Sequence, residues 1–225
     1  MSKKIDLIYS VLETLREIND DSDFSEEFIA DILDYNRAEL IKQSLRYSGD
    51  VSQDFIQSLE RVPVDINDVS LSALSDYDLN ILITNEIPVP LRVKRKEYFT
   101  RIGSLNPLES SYTIIPFERL PYTGKGRFNK TQKYAAYSNN RVYVVGHKNL
   151  IEFIAMEYIN IKGIFANPDA VVEYNTTSTM SHNWDYEYPL PESLTNVLLK
   201  MVLQALAPKV ELPSDKLNDA TDGKT

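Results

Sequence analysis

The chain opens with a helical pattern. Between residues 5 and 18 apolar side chains recur every three or four positions, which is the spacing of one face of an amphipathic helix. A second helix begins after Ser25, whose hydroxyl can cap the first turn, and its apolar face continues to about residue 46. The sequence therefore predicts an N-terminal helical hairpin.

The pattern then changes to β-branched residues, prolines and short polar and apolar alternations. Asn139 and Asn140 predict a tight hairpin turn, because Asn tolerates the positive φ angles of such turns. We expect a central, mostly antiparallel β domain, either a sheet or a small barrel. Its predicted strands span residues 54–64, 80–84, 91–101, 112–117, 132–137, 141–145 and 150–165.

Near the end of the chain a helical pattern returns. Pro191 starts an apolar helix, Pro208 is expected to end it, and the polar residues that follow predict a flexible tail. The predicted fold class is thus α+β. Its four parts are a helical segment over 1–48, a β-rich domain over 49–189, a C-terminal helix over 190–207 and a tail over 208–225.

Composition excludes several protein classes. With 43% hydrophobic and 25% charged residues, the chain has the composition of a folded globular protein. The acidic N-terminal region and the absence of a long apolar run argue against a signal peptide and a membrane partner. There is no cysteine, which excludes disulfides and thiolate nucleophiles and fits a reducing compartment or a particle assembled inside one.

Charge is strongly segregated along the chain. Residues 1–90 carry a net charge of −12, residues 91–150 carry +9, and residues 151–225 carry −6. Copies of the protein could therefore attract one another through opposite surfaces, or acidic helices could pack over a basic sheet within one subunit. The candidate acidic partner face consists of Asp20, Asp21, Asp23, Glu26 and Glu27.

The basic stretch from residue 92 to 133 is the strongest candidate interaction site. Its cations are interleaved with Tyr98, Phe99, Tyr112, Phe117, Tyr122 and Phe128, a composition typical of single-strand nucleic-acid binding. In alternating β-strands many of the aromatic rings would instead be buried in the core, and the cations would face solvent or an acidic neighbour. The candidate inter-subunit or DNA-facing residues are Arg92, Lys94, Arg95, Lys96, Arg101, Arg119, Lys125, Arg127, Lys130 and Lys133.

The sequence contains no convincing catalytic or metal-binding motif. The glycine-containing stretch 123–127 lacks the remainder of a phosphate-binding loop, and His147 and His182 lack partners at metal-ligand spacing. No serine nucleophile motif is present, and a glycan hydrolase would need two carboxylates that converge in a cleft. We therefore expect a non-enzymatic protein without a metal or cofactor.

Several stretches, taken in order, resemble a known family. They are SEEFIADILDYNRAELIKQSLR, FIQSLERVPVDI, EIPVPLRV, GRFNK, NNRVYVVG, IEFIAMEYINIKGIFANPD and YPLPESLTNVLLKMVLQAL, which together run from about residue 5 to 206. The chain resembles the virion neck proteins of crAss-like phages. These are in turn similar to the head-to-tail connector, or adaptor, rings of short-tailed phages.

This resemblance implies a structural virion protein in the neck between portal and tail. It implies a cyclic homo-oligomer of twelve copies that lines or surrounds the DNA exit channel, after assembly in the bacterial host cytoplasm. Its implied partners are further copies of itself, the portal protein, adjacent neck or tail ring proteins, and genomic DNA that passes without sequence specificity. The alternative function is a single-stranded nucleic-acid-binding module that uses residues 92–133.

The C-terminal helix and tail suggest a docking element. Apolar groups surround more of the predicted helix than one core-facing stripe requires. In a connector ring, the helix could order against a neighbouring subunit or stacked ring, and the tail along a groove of the portal or adaptor. The residues expected to dock are Val210, Leu212 and Leu217.

Overall fold

The computed structural model describes residues 2–18, 24–47, 51–65, 79–94, 96–123, 131–147, 156–176 and 184–210. Contacts divide the chain into two compact units. We call the described residues within 1–41 and 184–225 the helical unit, and those within 42–183 the β unit. The chain contains both helices and a large sheet, so the α+β prediction is confirmed.

The helices and strands follow one another in a simple order. The helices are α1 (Lys4–Ile18), α2 (Glu26–Tyr47), α3 (Pro168–Thr176) and α4 (Glu192–Val210). The strands are β1 (Gln57–Asp65), β2 (Leu79–Thr84), β3 (Arg92–Val93), β4 (Lys96–Glu97), β5 (Phe99–Gly103), β6 (Thr113–Ile114), β7 (Tyr134–Ser138), β8 (Arg141–His147) and β9 (Tyr158–Gly163).

The helical unit is built from both ends of the described chain. Ser25 caps α2, since its Oγ accepts a hydrogen bond from the backbone N–H of Phe28 at 3.3 Å, and the two predicted N-terminal helices are confirmed. α1 also packs against α4. The expected end of the last helix at Pro208 was wrong: α4 continues to Val210, because a proline in a final turn removes only its own N–H donor.

Residues 184–190 pair with the N-terminus as a short antiparallel bridge. Lys3 lies opposite Glu187, and the backbone N–H of Lys4 donates to the carbonyl of Tyr186 at 3.1 Å. The backbone N–H of Tyr188 donates to the carbonyl of Ser2 at 3.0 Å. These bonds join segments that are more than 180 residues apart in sequence. The division of the chain at residues 48, 189 and 207 remains a prediction.

The β unit contains a seven-stranded sheet in the order β5-β9-β1-β2-β8-β7-β6. Adjacent strands are antiparallel except for the parallel β6–β7 pair. The backbone N–H of Tyr112 donates to the carbonyl of Ile102 at 2.7 Å and so links the two edges of the sheet. The result is a nearly closed, barrel-like sheet, one of the two forms that the sequence predicted, and its largely aliphatic core includes Leu59, Val62 and Ile161.

Two predicted strands are interrupted for local reasons. The expected strand over 91–101 was wrong, because Lys94 adopts a φ of 50° and turns the chain into the β3–β4 hairpin before β5 begins. The expected strand over 112–117 is a strand only in β6 and gives way to a 3₁₀ helix at Phe117–Tyr122. Asn139 and Asn140 do form the predicted turn, with φ angles of 50° and 58°.

Two further short helical segments were not predicted. A 3₁₀ helix at Gln53–Phe55 occupies the expected start of the first strand, capped by Ser52. α3 begins after Asn167, whose side-chain oxygen accepts a hydrogen bond from the backbone N–H of Asp169 at 2.8 Å. α3 spans only nine residues, too few for its periodicity to stand out beside the preceding strand.

Within the described parts of the chain, no helix has the length and apolar character that a membrane crossing requires.

Candidate functional site

Three of the predicted basic residues lie together on one small hairpin. We call residues 92–97 the basic hairpin; it pairs β3 with β4, with Arg92 opposite Glu97. Arg92, Lys94 and Lys96 are all exposed, and the Arg92 Nε lies 3.7 Å from the Glu97 Oε1. Because its cations project from a two-strand turn, this hairpin offers positive charge to a partner.

The other described cations of the basic stretch lie elsewhere. Arg101 supports the loop after β5, since its Nη2 donates to the carbonyls of Asn106 at 3.0 Å and Glu109 at 3.3 Å. The Lys133 Nζ lies 5.7 Å from the ring centroid of Tyr112, and Arg119 is exposed on the 3₁₀ helix. The six described cations are thus divided among the basic hairpin, β5, the 3₁₀ helix and the residue before β7. Arg95, Lys125, Arg127 and Lys130 lie outside the described residues.

The aromatic residues of the basic stretch mostly pack into the β unit. Phe99 packs on Tyr137 with ring centroids 5.5 Å apart, and Phe117 packs on Tyr143 at 4.9 Å. Tyr112 is buried, and this burial, together with the charge of Glu109, raises the pKa of its phenol. Among the described aromatic residues of the stretch, Tyr122 alone is exposed, so few rings are available to stack on bases.

The helical unit carries an excess of acid. Its described residues include eleven Asp and Glu against six Lys and Arg. Glu27 is exposed and Glu26 is half-buried in the first turn of α2, where their charge favours the helix. The remaining members of the predicted acidic face, Asp20, Asp21 and Asp23, lie outside the described residues.

Most of the candidate tail residues and one of the two histidines lie outside the described residues. Val210 is the last residue of α4, whereas Leu212, Leu217 and His182 lie outside the described residues. His147 is the last residue of β8. No group of three or more His, Asp and Glu residues that could hold a metal ion occurs in the described residues.

A buried polar cluster in the helical unit was missed by the sequence reasoning. The Lys4 Nζ and the Tyr188 hydroxyl each donate to a different carboxylate oxygen of Asp34, both at 2.9 Å. The Arg37 Nε donates to the carbonyl of Pro189 at 3.0 Å, and its guanidinium lies 5.7 Å from the ring centroid of Tyr188. Burial lowers the pKa of Arg37, while the charges of Tyr188 and Asp34 act in the opposite direction.

A sequence signal for this cluster existed. Lys4 precedes Leu7, Ile8 and Val11 by three, four and seven positions, which places it on the buried stripe of α1. Arg37 occupies the corresponding place on α2, four residues from both Leu33 and Ile41. Polar side chains at these positions indicate paired burial rather than a solvated face.

Exposed apolar residues also lie on the helical unit. Tyr35 on α2 is 68% exposed, Ile18 at the end of α1 is 65% exposed, and Tyr9 and Val197 are nearly half exposed. Scattered exposed apolar residues are common on protein surfaces, but here they accompany an acidic helical surface. These positions are candidates for contact with another chain.

A groove opens in the β unit where the two edges of the sheet separate. Its volume is about 470 Å³, and its lining comes from the basic hairpin, the start of β5, the segment from β6 into the 3₁₀ helix, and the end of β7. We call it the seam groove. The groove combines Arg92 and Lys96 of the basic hairpin with exposed apolar surface at Ile114, and the carboxylates of Glu97 and Glu118 also line it.

Two comparisons with known proteins indicate the same family. A family described as phage tail ring protein 2 matches residues 6–224. The protein "Ring protein 2" of Bacteroides phage crAss001 is 22% identical over 224 residues, and the match covers 96% of each chain. The resemblance to crAss-like phage ring proteins is thereby confirmed. The chain belongs to the phage tail ring protein 2 family of crAss-like phages, and it is a structural ring component of the virion tail.

Proposed function

We propose that this ring lies in the neck between portal and tail and surrounds the DNA exit channel. Head-to-tail connectors, which the sequence resembles, occupy that position. The ring would contain twelve copies, with the portal protein and adjacent neck or tail ring proteins as neighbours. Its role is mechanical, so the proposal assigns no reaction, metal or cofactor to it.

The charge difference between the two units is the observation that carries this proposal. In a closed cyclic ring each subunit uses two different surfaces, one for each neighbour. The acidic excess of the helical unit and the exposed cations of the basic hairpin are complementary surfaces on one chain. We therefore assign the contact between copies to the helical unit of one subunit and the basic hairpin of the next.

This arrangement also suits the passage of DNA. A lumen that presents many cations would hold the phosphate backbone by counterion release and slow its movement. Contacts between copies would cover the basic hairpin and leave the acidic excess of the chain to face the channel. Genomic DNA would then pass without sequence specificity.

Cryo-electron microscopy of intact virions tests the position of the ring. We expect a closed ring of this chain between portal and tail, coaxial with the DNA, whose copy number is read from the symmetry of the map. Density for this chain away from the channel axis, for example in a peripheral tail appendage, would show that the proposal is wrong.

Charge reversal tests the contact between copies. Replacement of Asp20, Asp21, Glu26 and Glu27 by lysine should reduce oligomer formation in mass photometry, and more so at low salt, where charge is screened least. The matched control is Glu173→Lys, an exposed acid on α3. If oligomers form equally well at every salt concentration, these acids are only helix caps and solvated surface.

The alternative function has one observation in its favour. The basic hairpin exposes three cations within five residues, as a phosphate-binding element would. A single-stranded nucleic-acid-binding module should bind oligonucleotides with an affinity that falls steeply as salt rises, and Lys94→Glu should weaken that binding. If the purified full-length protein shows no such affinity at low salt, the alternative is wrong.

A further inference from the structure

The basic hairpin is joined to the end of β9 by backbone hydrogen bonds. Leu91 and Tyr98 flank the hairpin, and Ile164 is the residue that follows β9. The Leu91 N–H donates to the Ile164 carbonyl at 2.7 Å, and the Ile164 N–H donates to the Tyr98 carbonyl at 3.0 Å. The Tyr98 N–H in turn donates to the Leu91 carbonyl at 3.0 Å. We call these three residues the base triad, because their bonds form a closed set where the hairpin begins and ends.

The segment that leads into the hairpin is paired as well. Pro90 lies opposite Phe165 as an antiparallel bridge, and the Ala166 N–H donates to the Val89 carbonyl at 3.0 Å. The side chains of Leu91 and Phe165 are buried. The hairpin therefore extends from a backbone that is already held by hydrogen bonds and packing.

The hairpin has few bonds of its own. Its ladder consists of two residue pairs, Arg92 with Glu97 and Val93 with Lys96. An isolated two-stranded hairpin is at best marginally stable in water, and Lys94 at the turn adds the cost of a positive φ. The direction in which the exposed cations point therefore depends on the base triad.

A glycine beside the triad permits its close geometry. Gly163 precedes Ile164 and pairs with Phe99 of β5 on one side and Gln57 of β1 on the other. A Cβ atom at this position would lie 2.7 Å from the carbonyl oxygen of Tyr98 and 3.3 Å from a ring carbon of Phe99. Because the carbonyl oxygen belongs to the backbone, only a shift of the chain at the base of the hairpin would relieve the clash.

We propose that Gly163 sets the orientation of the basic hairpin through the base triad, and that the hairpin needs this orientation to bind a neighbouring copy. The hairpin is then held in one conformation before the copies meet, so association loses little free energy in ordering it. Gly163 is a positioning residue, since it acts through the hairpin. The proposal rests on the contact between copies proposed above and adds the residue that orients it.

Amide hydrogen exchange of Gly163→Ala tests the orientation. The amides of Leu91, Tyr98 and Ile164 should exchange about tenfold faster than in the wild type, whereas the amides of β7 and β8 should keep their rates. The matched control is Gly103→Ala, because a Cβ atom there would make only ordinary contacts, the nearest at 3.5 Å. Unchanged exchange at the base triad in Gly163→Ala would overturn the proposal.

A double-mutant cycle on full-length chains tests the link to assembly. Lys96→Glu alone should weaken association between copies about tenfold in mass photometry, because an attraction becomes a repulsion. Added to Gly163→Ala, the same substitution should have less than about a twofold effect, since the hairpin no longer meets the neighbouring surface. Equal effects of Lys96→Glu in the two backgrounds would show that the hairpin is oriented without Gly163, and the proposal would be wrong.

A second variant covers the case in which Gly163→Ala does not fold. Two glycines inserted between Glu97 and Tyr98 keep Gly163 and every cation, but they separate the hairpin from the base triad. This variant should associate as weakly as Lys96→Glu does. Association at the wild-type level would overturn the proposal.

This proposal and the contact between copies can fail separately. If Lys96→Glu leaves association of the otherwise wild-type chain unchanged, the contact is wrong, and the assembly role of Gly163 fails with it. The exchange rates alone then decide whether Gly163 orients the hairpin. If Lys96→Glu weakens association equally in both backgrounds, the contact stands and the role of Gly163 is wrong.

Discussion

The two units of this protein are stabilised in different ways. The β unit surrounds an aliphatic core, and its strands are joined by backbone pairing around a nearly closed barrel. The helical unit has an apolar core too, but it also buries the charged side chains of Lys4, Asp34 and Arg37. The stabilisation gained from apolar burial depends mainly on the buried area, whereas buried charges are tolerated only when their partners are in place.

The two units also differ in the contacts that join distant segments of the chain. In the helical unit, Asp34 of α2 binds Lys4 at the start of α1 and Tyr188 of the segment before α4. If Lys4 or Asp34 is lost, the opposite charge of this buried pair loses its ion-pair partner. We therefore expect the helical unit to respond to single polar substitutions more sharply than the β unit does. Trp184, the sole tryptophan, is buried in the helical unit and reports on it by fluorescence.

The largest predicted effect is that of Asp34→Asn. The substitution removes the carboxylate that accepts the hydrogen bond of the buried Lys4 Nζ, and it should lower the free energy of unfolding of the helical unit by about 3–5 kcal/mol. Urea titration followed by Trp184 fluorescence measures this loss. Asp31→Asn, an exposed acid on the same helix, is the matched control and should have little effect. Equal effects of the two substitutions would contradict the structural role of the cluster.

The next largest effect is expected from Leu59→Ala in the barrel core. Leu59 is fully buried, so its truncation leaves a cavity and should cost about 2–4 kcal/mol of β-unit stability. Far-UV circular dichroism in urea, or hydrogen exchange of the β strands, measures the loss. Leu108→Ala, at a side chain that is 92% exposed, should change stability little. An equal loss in the Trp184 fluorescence transition would show that the two units do not respond separately.

A smaller effect is expected at the start of α2. Ser25→Ala removes the acceptor of the Phe28 N–H bond and should destabilise the helical unit by about 1 kcal/mol. Ser25→Asp restores an acceptor and should recover most of that stability, again read from the urea midpoint of Trp184 fluorescence. A variant with aspartate that is no more stable than the one with alanine would argue against the capping role.

The smallest predicted effect appears only at high pH. Burial raises the pKa of Tyr112 and of Tyr137 in the β unit, and the charges of Glu109 and Glu97 raise them further. A pKa that is higher in the folded state gives stability that is fully present below the unfolded value, about pH 10, and is lost as pH rises toward the folded value.

Tyr112→Phe tests this alkaline loss. The variant should lose less β-unit stability than the wild type between pH 8 and about pH 11, because it no longer has a buried phenol to ionise. Urea midpoints from circular dichroism at each pH measure the difference. The exposed Tyr122 provides the control substitution, Tyr122→Phe. An unchanged pH dependence in Tyr112→Phe would contradict the prediction.

Periodicity and capping predicted the regular parts of the fold. The apolar spacing of α1, the Ser25 cap and the Asn139–Asn140 turn are properties of neighbouring residues, so the sequence was sufficient for them. The break at Lys94 was not predictable in this way, because a lysine with positive φ is favoured only when the surrounding chain stabilises the turn.

The candidate site was predicted less completely, for a related reason. The sequence identified the basic stretch, but it could not show that Arg101 supports a loop while Arg92 and Lys96 line a groove. The net charge of a segment is found by summing its residues. Which side chains lie together depends instead on pairing between distant strands. Buried Lys4 and Arg37 were overlooked because charged residues are almost always exposed.

Zero-length cross-linking of the assembled ring tests the central claim most directly. A carbodiimide joins a lysine amine to a carboxylate only when they are in contact, and a mixture of ¹⁴N- and ¹⁵N-labelled chains distinguishes links between copies from links within one. We predict links between copies that join acids of the helical unit, such as Glu27, to Lys94 or Lys96 of the basic hairpin. Rings whose links between copies never involve the basic hairpin would contradict the account.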